Sequence, residues 1–111
     1  MSEAVIIDAV RSARGKKKNG ALNHTHPMDL AAMVLQAAVR RTGISPEQID
    51  DVTLGCVTQV GEQGLNIARG AVLAAGLPIE VAGYSLNRFC GSGLQAVNSA
   101  AQAVMSGTAD L

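Results

Sequence analysis

The sequence predicts an α/β fold in which helices cover a parallel sheet, and three observations support this. Strand-like and helix-like periodicities alternate along the chain, which is typical of strand–helix–strand units with parallel strands. The connections between them are short, so right-handed crossovers are expected. Hydrophobic residues make up 48% of the 111 residues and aromatic residues only 2%. The core must therefore be built from Ala, Val, Leu and Ile, which allow helices to pack closely onto a sheet.

The first half of the chain predicts a strand, a long loop and a helix. Ala4–Ala9 is a short β-branched run that favours a buried strand, and the polar segment 11–26 favours a loop. Pro27 suits the first position of a helix, and Gly43 is a natural stop. Ser45–Gln48 has a capping-box pattern and predicts one short helical turn.

The second half predicts two strands and two helices in alternation, then the first step of another strand. Gly61–Gly64 between them is predicted to be a loop, and it lacks the Lys-Ser/Thr ending of a phosphate loop. The expected elements are a strand at Val52–Thr58, a helix at Ile67–Ala75 capped by Asn66, a strand at Val81–Leu86, a helix at Gly91–Ser106 and the strand start at Asp110–Leu111.

The last predicted helix carries no charge at all, since no charged residue lies between Arg88 and Asp110. A helix on a protein surface normally shows a charged outer face. We therefore expect this helix to be buried on more than one side, against another layer of the same chain or a subunit. One stripe of the helix is apolar and a second is built from small residues: Leu94, Val97, Ala101, Val104 and Met105, and then Gly93, Ala96, Ala100, Ala103 and Gly107.

Charge and hydropathy exclude several classes of function. Nine basic and nine acidic residues cancel, so there is no global electrostatic signal for nucleic acid or a membrane surface as a partner. No apolar run is long enough to span a bilayer, and the expected location is the reducing cytoplasm. One basic cluster is either a solvated loop or a site that attracts an anionic cofactor. It consists of Arg11, Arg14, Lys16, Lys17 and Lys18.

The candidate catalytic residue is Cys90, which lies between the last predicted strand and the uncharged helix. At that point unpaired backbone N–H groups and the helix dipole favour a thiolate, the reactive form of cysteine. Gly91 and Gly93 would let a substrate approach the backbone, whose N–H groups could stabilise an oxyanion. The alternative, which spacing alone leaves open, is a buried and inert structural cysteine beside a glycine-rich turn.

Two other residue types invite a functional reading and are interpreted as structural. Cys56 lies in an alternating strand with nothing nearby to activate it, so we expect a buried structural thiol. His24 and His26 are two possible ligands on one loop, which are too few for a metal site. No metal is therefore expected.

Four stretches in order and spacing resemble the thiolase family, and the resemblance covers essentially the whole chain. Leu86–Ala96 is similar to the nucleophile segment of thiolases. Val5–Ser12 is similar to their first strand and turn, Asp51–Val57 to the second strand, and Glu62–Arg69 to the loop and helix that follow. This resemblance identifies residues 1–111 as a partial amino-terminal domain of the thiolase fold.

The resemblance implies two similar α/β halves with paired central helices, one of which would be Gly91–Ser106. It also implies a homodimer or homotetramer formed near Val81–Leu86. A coenzyme A-binding loop domain, an oxyanion-hole Asn, a catalytic His and a second Cys would follow Leu111, so the residues that bind coenzyme A are not assigned here. The 111-residue chain alone is therefore expected to turn over no substrate.

By the same resemblance, the activity would be that of an acetyl-CoA C-acyltransferase with Cys90 as the acyl-thioester nucleophile. A 3-ketoacyl-CoA would be cleaved with coenzyme A as co-substrate and no permanently bound cofactor, as in fatty acid β-oxidation. Three alternatives stay open: biosynthetic condensation to acetoacetyl-CoA, a ketoacyl synthase of related fold, and a non-catalytic truncated or interaction fragment. Glu62–Gly64 favours the degradative group.

Overall fold

A computed structural model describes residues 3–111, which form three α-helices and two β-strands. Two single turns of 3-10 helix, Pro46–Gln48 and Gly61–Gln63, lie in the connections. None of the helices formed by the described residues is long and apolar enough to cross a bilayer. The elements, in chain order, are α1 (Pro27–Thr42), β1 (Asp51–Gly55), α2 (Ile67–Ala74), β2 (Ala82–Leu86) and α3 (Ser92–Ser106).

The two strands are parallel, and α2 is the crossover between them. Asp51 of β1 lies opposite Ala82 of β2, and Gly55 lies opposite Leu86. The N–H of Cys56 donates to the carbonyl of Leu86 at 2.9 Å and closes the ladder at its carboxyl end. Helix α1 packs on α2, α2 packs on both strands, and α3 packs on β1. The α/β class with a parallel sheet and covering helices is therefore confirmed.

Helix α1 begins and ends where the sequence predicts. Pro27 is its first residue, and Gly43 after its last turn adopts the left-handed φ of 69° that glycine allows. The cap at the start was not predicted, because histidine is an uncommon capping residue. Nδ1 of His26 accepts a hydrogen bond from the N–H of Met28 at 3.1 Å. That contact gives His26 a structural role at the helix start.

The core is centred on α2 and consists of small and medium aliphatic side chains. Asn66 caps α2 as predicted, with Oδ1 accepting from the N–H of Arg69 at 3.2 Å. A Cβ on Gly70 would lie 2.5 Å from the terminal methyl of Met28, so α1 and α2 are in close contact there. Among residues 3–111, the buried hydrophobic residues are Ala32, Cys56, Ile67, Ala68, Ala71, Val72, Val81 and Ala96.

The predicted strand at Ala4–Ala9 is wrong for this chain. The segment is extended but lies in no sheet, and Ile6 is 79% exposed. A strand needs a neighbour that takes up its N–H and C=O groups, and no described segment is paired with residues 4–9. An ion pair holds the segment to α1 instead, with Nε of Arg41 2.9 Å from Oδ2 of Asp8.

Two further predictions are corrected in detail. The strand expected to reach Thr58 ends at Gly55, because its partner strand ends at Leu86. Ser45 makes no capping hydrogen bond to its turn; its hydroxyl bonds to the Glu47 carboxylate instead. That hydrogen bond is the main cause that lowers the pKa of Glu47 below its ordinary value. The other predicted boundaries of helices and strands differ from the observed ones by at most one residue.

The end of the chain lies beside the start of β1, although it forms no assigned strand. The N–H of Asp50 donates to the carbonyl of Leu111 at 2.9 Å. The carboxylate of Asp50 accepts from the N–H of Asp110 at 2.7 Å. The strand start predicted at Asp110–Leu111 is therefore not formed among the described residues, and hydrogen bonds to Asp50 hold the segment instead.

The described residues cover helix α3 on one side and leave its other sides exposed. It buries Ser92 and Ala96 near its first turns, whereas Leu94 is 70% exposed. Its main described neighbour is β1. The apolar stripe that predicted burial on several sides thus lies largely at the surface of residues 3–111.

Candidate active site

Cys90 lies in the connection between β2 and α3, at the carboxyl end of the parallel sheet. Cys90 is exposed. Its backbone forms an isolated β-bridge with the backbone of Arg88. This placement agrees with the strand-to-helix turn that the sequence predicts. The carboxyl edge of a parallel sheet is where α/β proteins bind their ligands. Within residues 3–111, Cys90 is therefore an exposed thiol at this edge and not a buried one.

The turn that carries Cys90 is tight and includes a left-handed residue. Phe89 has a φ of 47°, a conformation that costs a non-glycine residue on the order of 1–3 kcal/mol. Oδ1 of Asn87 accepts from the N–H of Phe89 at 2.9 Å, and the N–H of Gly91 donates to the carbonyl of Arg88 at 3.0 Å. These hydrogen bonds stabilise the turn on both sides of Phe89.

Ser92 is the first residue of α3 and connects the helix to this turn. Its hydroxyl accepts from the N–H of Arg88 at 2.8 Å and donates to the carbonyl of Phe89 at 2.7 Å. Ser92 is 5% exposed and is the one buried polar residue among residues 3–111. Ser92 is not among the residues that the sequence predicts to be functional. The sequence feature that could have identified Ser92 is a hydroxyl two residues after the candidate nucleophile, in a segment otherwise rich in glycine.

The start of α3 offers free hydrogen-bond donors. Gly91 occupies the N-cap position without a side-chain cap, and the first backbone bond of the helix runs from Gln95 to Gly91 at 2.8 Å. Within residues 3–111, the N–H groups of Gly93 and Leu94 donate to no protein acceptor. Such groups at a helix amino terminus stabilise negative charge on a nearby atom.

Gly55 determines how closely α3 approaches the sheet. A Cβ on Gly55 would lie 2.5 Å from the carbonyl carbon of Ser92 and 2.6 Å from the nitrogen of Gly93. Only a residue without a side chain therefore fits at the end of β1. The first turn of α3 is held against the sheet edge by this contact. The sequence alone did not identify Gly55, because nothing local marks a contact between residues 37 positions apart.

A shallow polar groove adjoins the turn. The guanidinium of Arg88 donates to Oε1 of Gln95, and Nε2 of Gln95 donates to the hydroxyl of Ser99 at 3.1 Å. The groove has a volume of about 350 Å³ and is open to solvent. Its lining residues are Arg88, Gly91, Leu94, Gln95 and Asn98. Neutral polar groups and one cation thus flank the turn of Cys90.

The other residues considered in the sequence lie away from this turn. Cys56 is buried at 7% exposure, and its Sγ lies 3.5 Å from Oε1 of Gln63, as expected of a structural thiol. His26 caps α1, and within residues 3–111 no group of three or more His, Cys, Asp or Glu side chains is arranged to hold a metal. The basic cluster Arg11, Arg14, Lys16, Lys17 and Lys18 is exposed in the segment before α1.

Comparison with known proteins gives consistent results. The family model described as "Thiolase, N-terminal domain" matches residues 4–111. The chain is 52% identical over 111 residues to a steroid 3-ketoacyl-CoA thiolase of Mycobacterium tuberculosis, covering all of this chain and 27% of that protein. It is 43% identical over 112 residues to a 3-ketoacyl-CoA thiolase of Idiomarina loihiensis, covering 29% of that protein. The chain thus spans less than a third of the length of these curated relatives.

The structure agrees with that similarity. The crystal structure of the Bacillus anthracis acetyl-CoA acetyltransferase superposes with a TM-score of 0.76 at 46% identity, covering 81% of this chain and 23% of that one. The likeness therefore includes the fold as well as the sequence over about four fifths of this chain. The chain belongs to the thiolase family, and its residues 4–111 match the amino-terminal domain of that family.

Proposed function

We propose that the protein containing this chain is an acyltransferase of the thiolase type, with Cys90 as its covalent nucleophile. It would cleave a 3-ketoacyl-CoA with coenzyme A to give acetyl-CoA and a shortened acyl-CoA. One observation carries the proposal: in a chain of this family, an exposed cysteine sits in a tight turn at the sheet edge, directly before the free N–H groups of α3.

The first half of the proposed reaction forms the acyl-enzyme. The thiolate of Cys90 attacks the keto carbon of the substrate, and its electron pair becomes the new S–C bond. The bond between the keto carbon and its neighbour then breaks. The electron pair of that bond stays with the acetyl-CoA carbanion, which takes up a proton and leaves. The free N–H groups of Gly93 and Leu94 are available to the oxyanion that develops between these steps.

The second half returns the enzyme to its starting state. The thiol of coenzyme A loses its proton and attacks the acyl thioester, and the thiolate of Cys90 leaves. Splitting one difficult carbon–carbon cleavage into two acyl transfers is the advantage of covalent catalysis. The proton transfers need acid–base groups, which the family resemblance assigns to residues beyond Leu111.

The proposed direction of the reaction is degradation, and the names of the relatives support it. Those at 43% and 52% identity are named 3-ketoacyl-CoA thiolases. The condensation of two acetyl-CoA molecules is the alternative, and it is supported by the structural match to an acetyl-CoA acetyltransferase at 46% identity. Initial rates of thiolysis and condensation, measured on the same preparation with substrates of several lengths, distinguish the two.

We also propose that the full protein is a cytoplasmic homodimer or homotetramer. Two free cysteines suit a reducing compartment. The exposed Tyr84 on β2 and the fully exposed Leu65 present apolar surface, which a subunit contact would cover. The molar mass of the full protein in solution, measured by light scattering, tests the assembly; a monodisperse monomer would contradict it.

The experiment that tests the activity compares two cysteine substitutions in the full protein. Cys90→Ser is expected to lower kcat for thiolysis by at least about 10³-fold, because it removes the nucleophile. Cys56→Ser is the matched control, and its kcat should change little because Cys56 is buried in the fold. The product acetyl-CoA is measured by mass spectrometry. Full activity of the Cys90→Ser variant would refute the proposal.

A further inference from the structure

We propose that Ser92 is a positioning residue for Cys90. The hydroxyl of Ser92 bonds to the two residues that precede Cys90 and so holds the cysteine in place. This inference rests on the proposed nucleophile and adds a second residue to that site. Ser92 itself need not touch the substrate. Its effect would be to fix where the sulfur of Cys90 lies relative to the start of α3.

The hydrogen bonds of Ser92 point toward the loop and not along its own helix. The hydroxyl accepts from the N–H of Arg88 at 2.8 Å and donates to the carbonyl of Phe89 at 2.7 Å. A serine that merely starts a helix would accept from an N–H of the first turn, and α3 has no such side-chain cap. The two partners of Ser92 lie immediately before Cys90 in the chain.

The turn needs this support because it is strained and has little packing. Phe89 adopts a φ of 47°, which is unfavourable for an aromatic residue. Its side chain is 76% exposed, so burial of the ring does not hold the conformation. The side chains of Asn87 and Ser92 therefore stabilise the turn through hydrogen bonds, together with the backbone bond from Gly91 to Arg88. Without the hydroxyl, the N–H of Arg88 would lose its acceptor, and the strain of Phe89 would favour a different turn.

Packing around Ser92 keeps its hydroxyl in a fixed place relative to the sheet. The backbone of Ser92 is pressed against Gly55 at the end of β1, where a Cβ would lie 2.5 Å from the Ser92 carbonyl carbon. The hydroxyl thus connects the loop to a point that is fixed on the sheet. A change in Ser92 should move Cys90 without unfolding the domain, because the largest group of buried hydrophobic residues belongs to α2 and not to this contact.

The test measures alkylation of Cys90 by iodoacetamide in the full protein at pH 7, followed by peptide mass spectrometry. The sulfur forms a bond to the methylene carbon, and iodide leaves with the electron pair of the broken bond. Cys56 is an internal control in the same sample. It is buried, so general loosening would speed its alkylation, whereas loss of positioning would slow Cys90 and leave Cys56 protected.

The variants separate the hydroxyl from the shape of the side chain. Ser92→Ala is expected to slow alkylation of Cys90 by roughly three- to tenfold, the effect of one buried hydrogen-bonding group. Ser92→Thr keeps the hydroxyl. Ser92→Val has the shape of threonine but lacks the hydroxyl. Ser106→Ala is the matched control, because it removes a serine bond to the Ala103 carbonyl at the other end of α3. It should leave Cys90 unchanged.

The outcomes distinguish a failure of the positioning role of Ser92 from a failure of the proposed nucleophile, Cys90. If Ser92→Ala leaves the rate of Cys90 unchanged while Cys56 stays protected, the positioning role is wrong. If Ser92→Ala exposes Cys56, the Thr and Val variants decide: a faster Cys90 in Thr supports the role, and equal rates overturn it. If Cys90 of the unsubstituted protein reacts no faster than in a peptide of sequence 87–93, the nucleophile proposal fails first.

Discussion

Helices α2 and α3 are both built largely from small and aliphatic residues, yet they differ in how much of each helix is buried. Four of the eight residues of α2 are buried, whereas α3 buries only Ser92 and Ala96 among fifteen. Helix α2 has α1, β1 and β2 as described neighbours, and α3 has mainly β1. A helix of small and aliphatic residues is thus either buried among its neighbours or left largely exposed. The neighbours present, and not the composition, decide which.

The largest difference is expected when a charge is placed on each helix in the 111-residue chain. Val72→Asp should cost about 3–5 kcal/mol and unfold the chain, because the carboxylate would be buried without a partner. Val97→Asp, on a residue that is 52% exposed, should change stability by less than about 0.5 kcal/mol. Thermal denaturation followed by circular dichroism measures both.

The same pair sharpens the comparison in the full protein. If a further layer covers α3, as the family membership leads us to expect, Val97→Asp should become as damaging there as Val72→Asp. Equal tolerance of Val97→Asp in both contexts would contradict that expectation.

The next effect concerns the contact between α3 and the sheet. Gly55→Ala should cost about 1–3 kcal/mol, because its Cβ would meet the backbone of Ser92 at 2.5 Å and force a backbone shift. Gly93→Ala has open space around its Cβ and should be neutral or stabilise α3 by about 0.5–1 kcal/mol. Urea denaturation compares the two. A neutral Gly55→Ala would show that α3 is not held tightly at this point.

A smaller effect is expected at the helix caps. Asn66→Ala should cost about 1–2 kcal/mol, since Asn66 caps α2 and its Nδ2 also donates to the carbonyl of Gly83 at 2.7 Å. The control Asn98→Ala, on the exposed side of α3, should have an effect below about 0.5 kcal/mol. Differences in the midpoint of urea denaturation measure both substitutions. Equal effects would mean that the Asn66 cap contributes little.

The smallest effect lies outside both helices, at Glu47. The Ser45 hydroxyl lowers the pKa of Glu47, so its contribution to stability is present above the unfolded pKa and is lost as the pH falls through the folded pKa. Ser45→Ala should raise that pKa toward its ordinary value. An NMR titration of the Glu47 carboxyl carbon detects the shift. An unchanged titration would show that the hydrogen bond is not populated in solution.

Features set by neighbouring residues in the sequence could be predicted well. The start of α1 at Pro27, its stop at Gly43, the cap of α2 at Asn66 and the turn of Cys90 all follow from local chemistry. The parallel pairing of β1 and β2 could also be predicted, because the alternation of strands and helices determines it.

Features that depend on distant partners could not be predicted. Ala4–Ala9 has the composition of a strand, but pairing requires a neighbour that no described residue provides. Gly55 is significant only because α3 comes to rest on it. The role of Ser92 depends on a turn conformation at Phe89 that no local pattern of residue types indicates.

The central claim, that Cys90 carries the acyl group, is tested most directly by trapping the intermediate. The full protein is mixed with a 3-ketoacyl-CoA in the absence of coenzyme A, quenched with acid, digested and analysed by mass spectrometry. We predict that the peptide containing Cys90 gains the mass of the acyl group, and that added coenzyme A removes it. An acyl group found on a different residue, or turnover without any acylated peptide, would contradict the account.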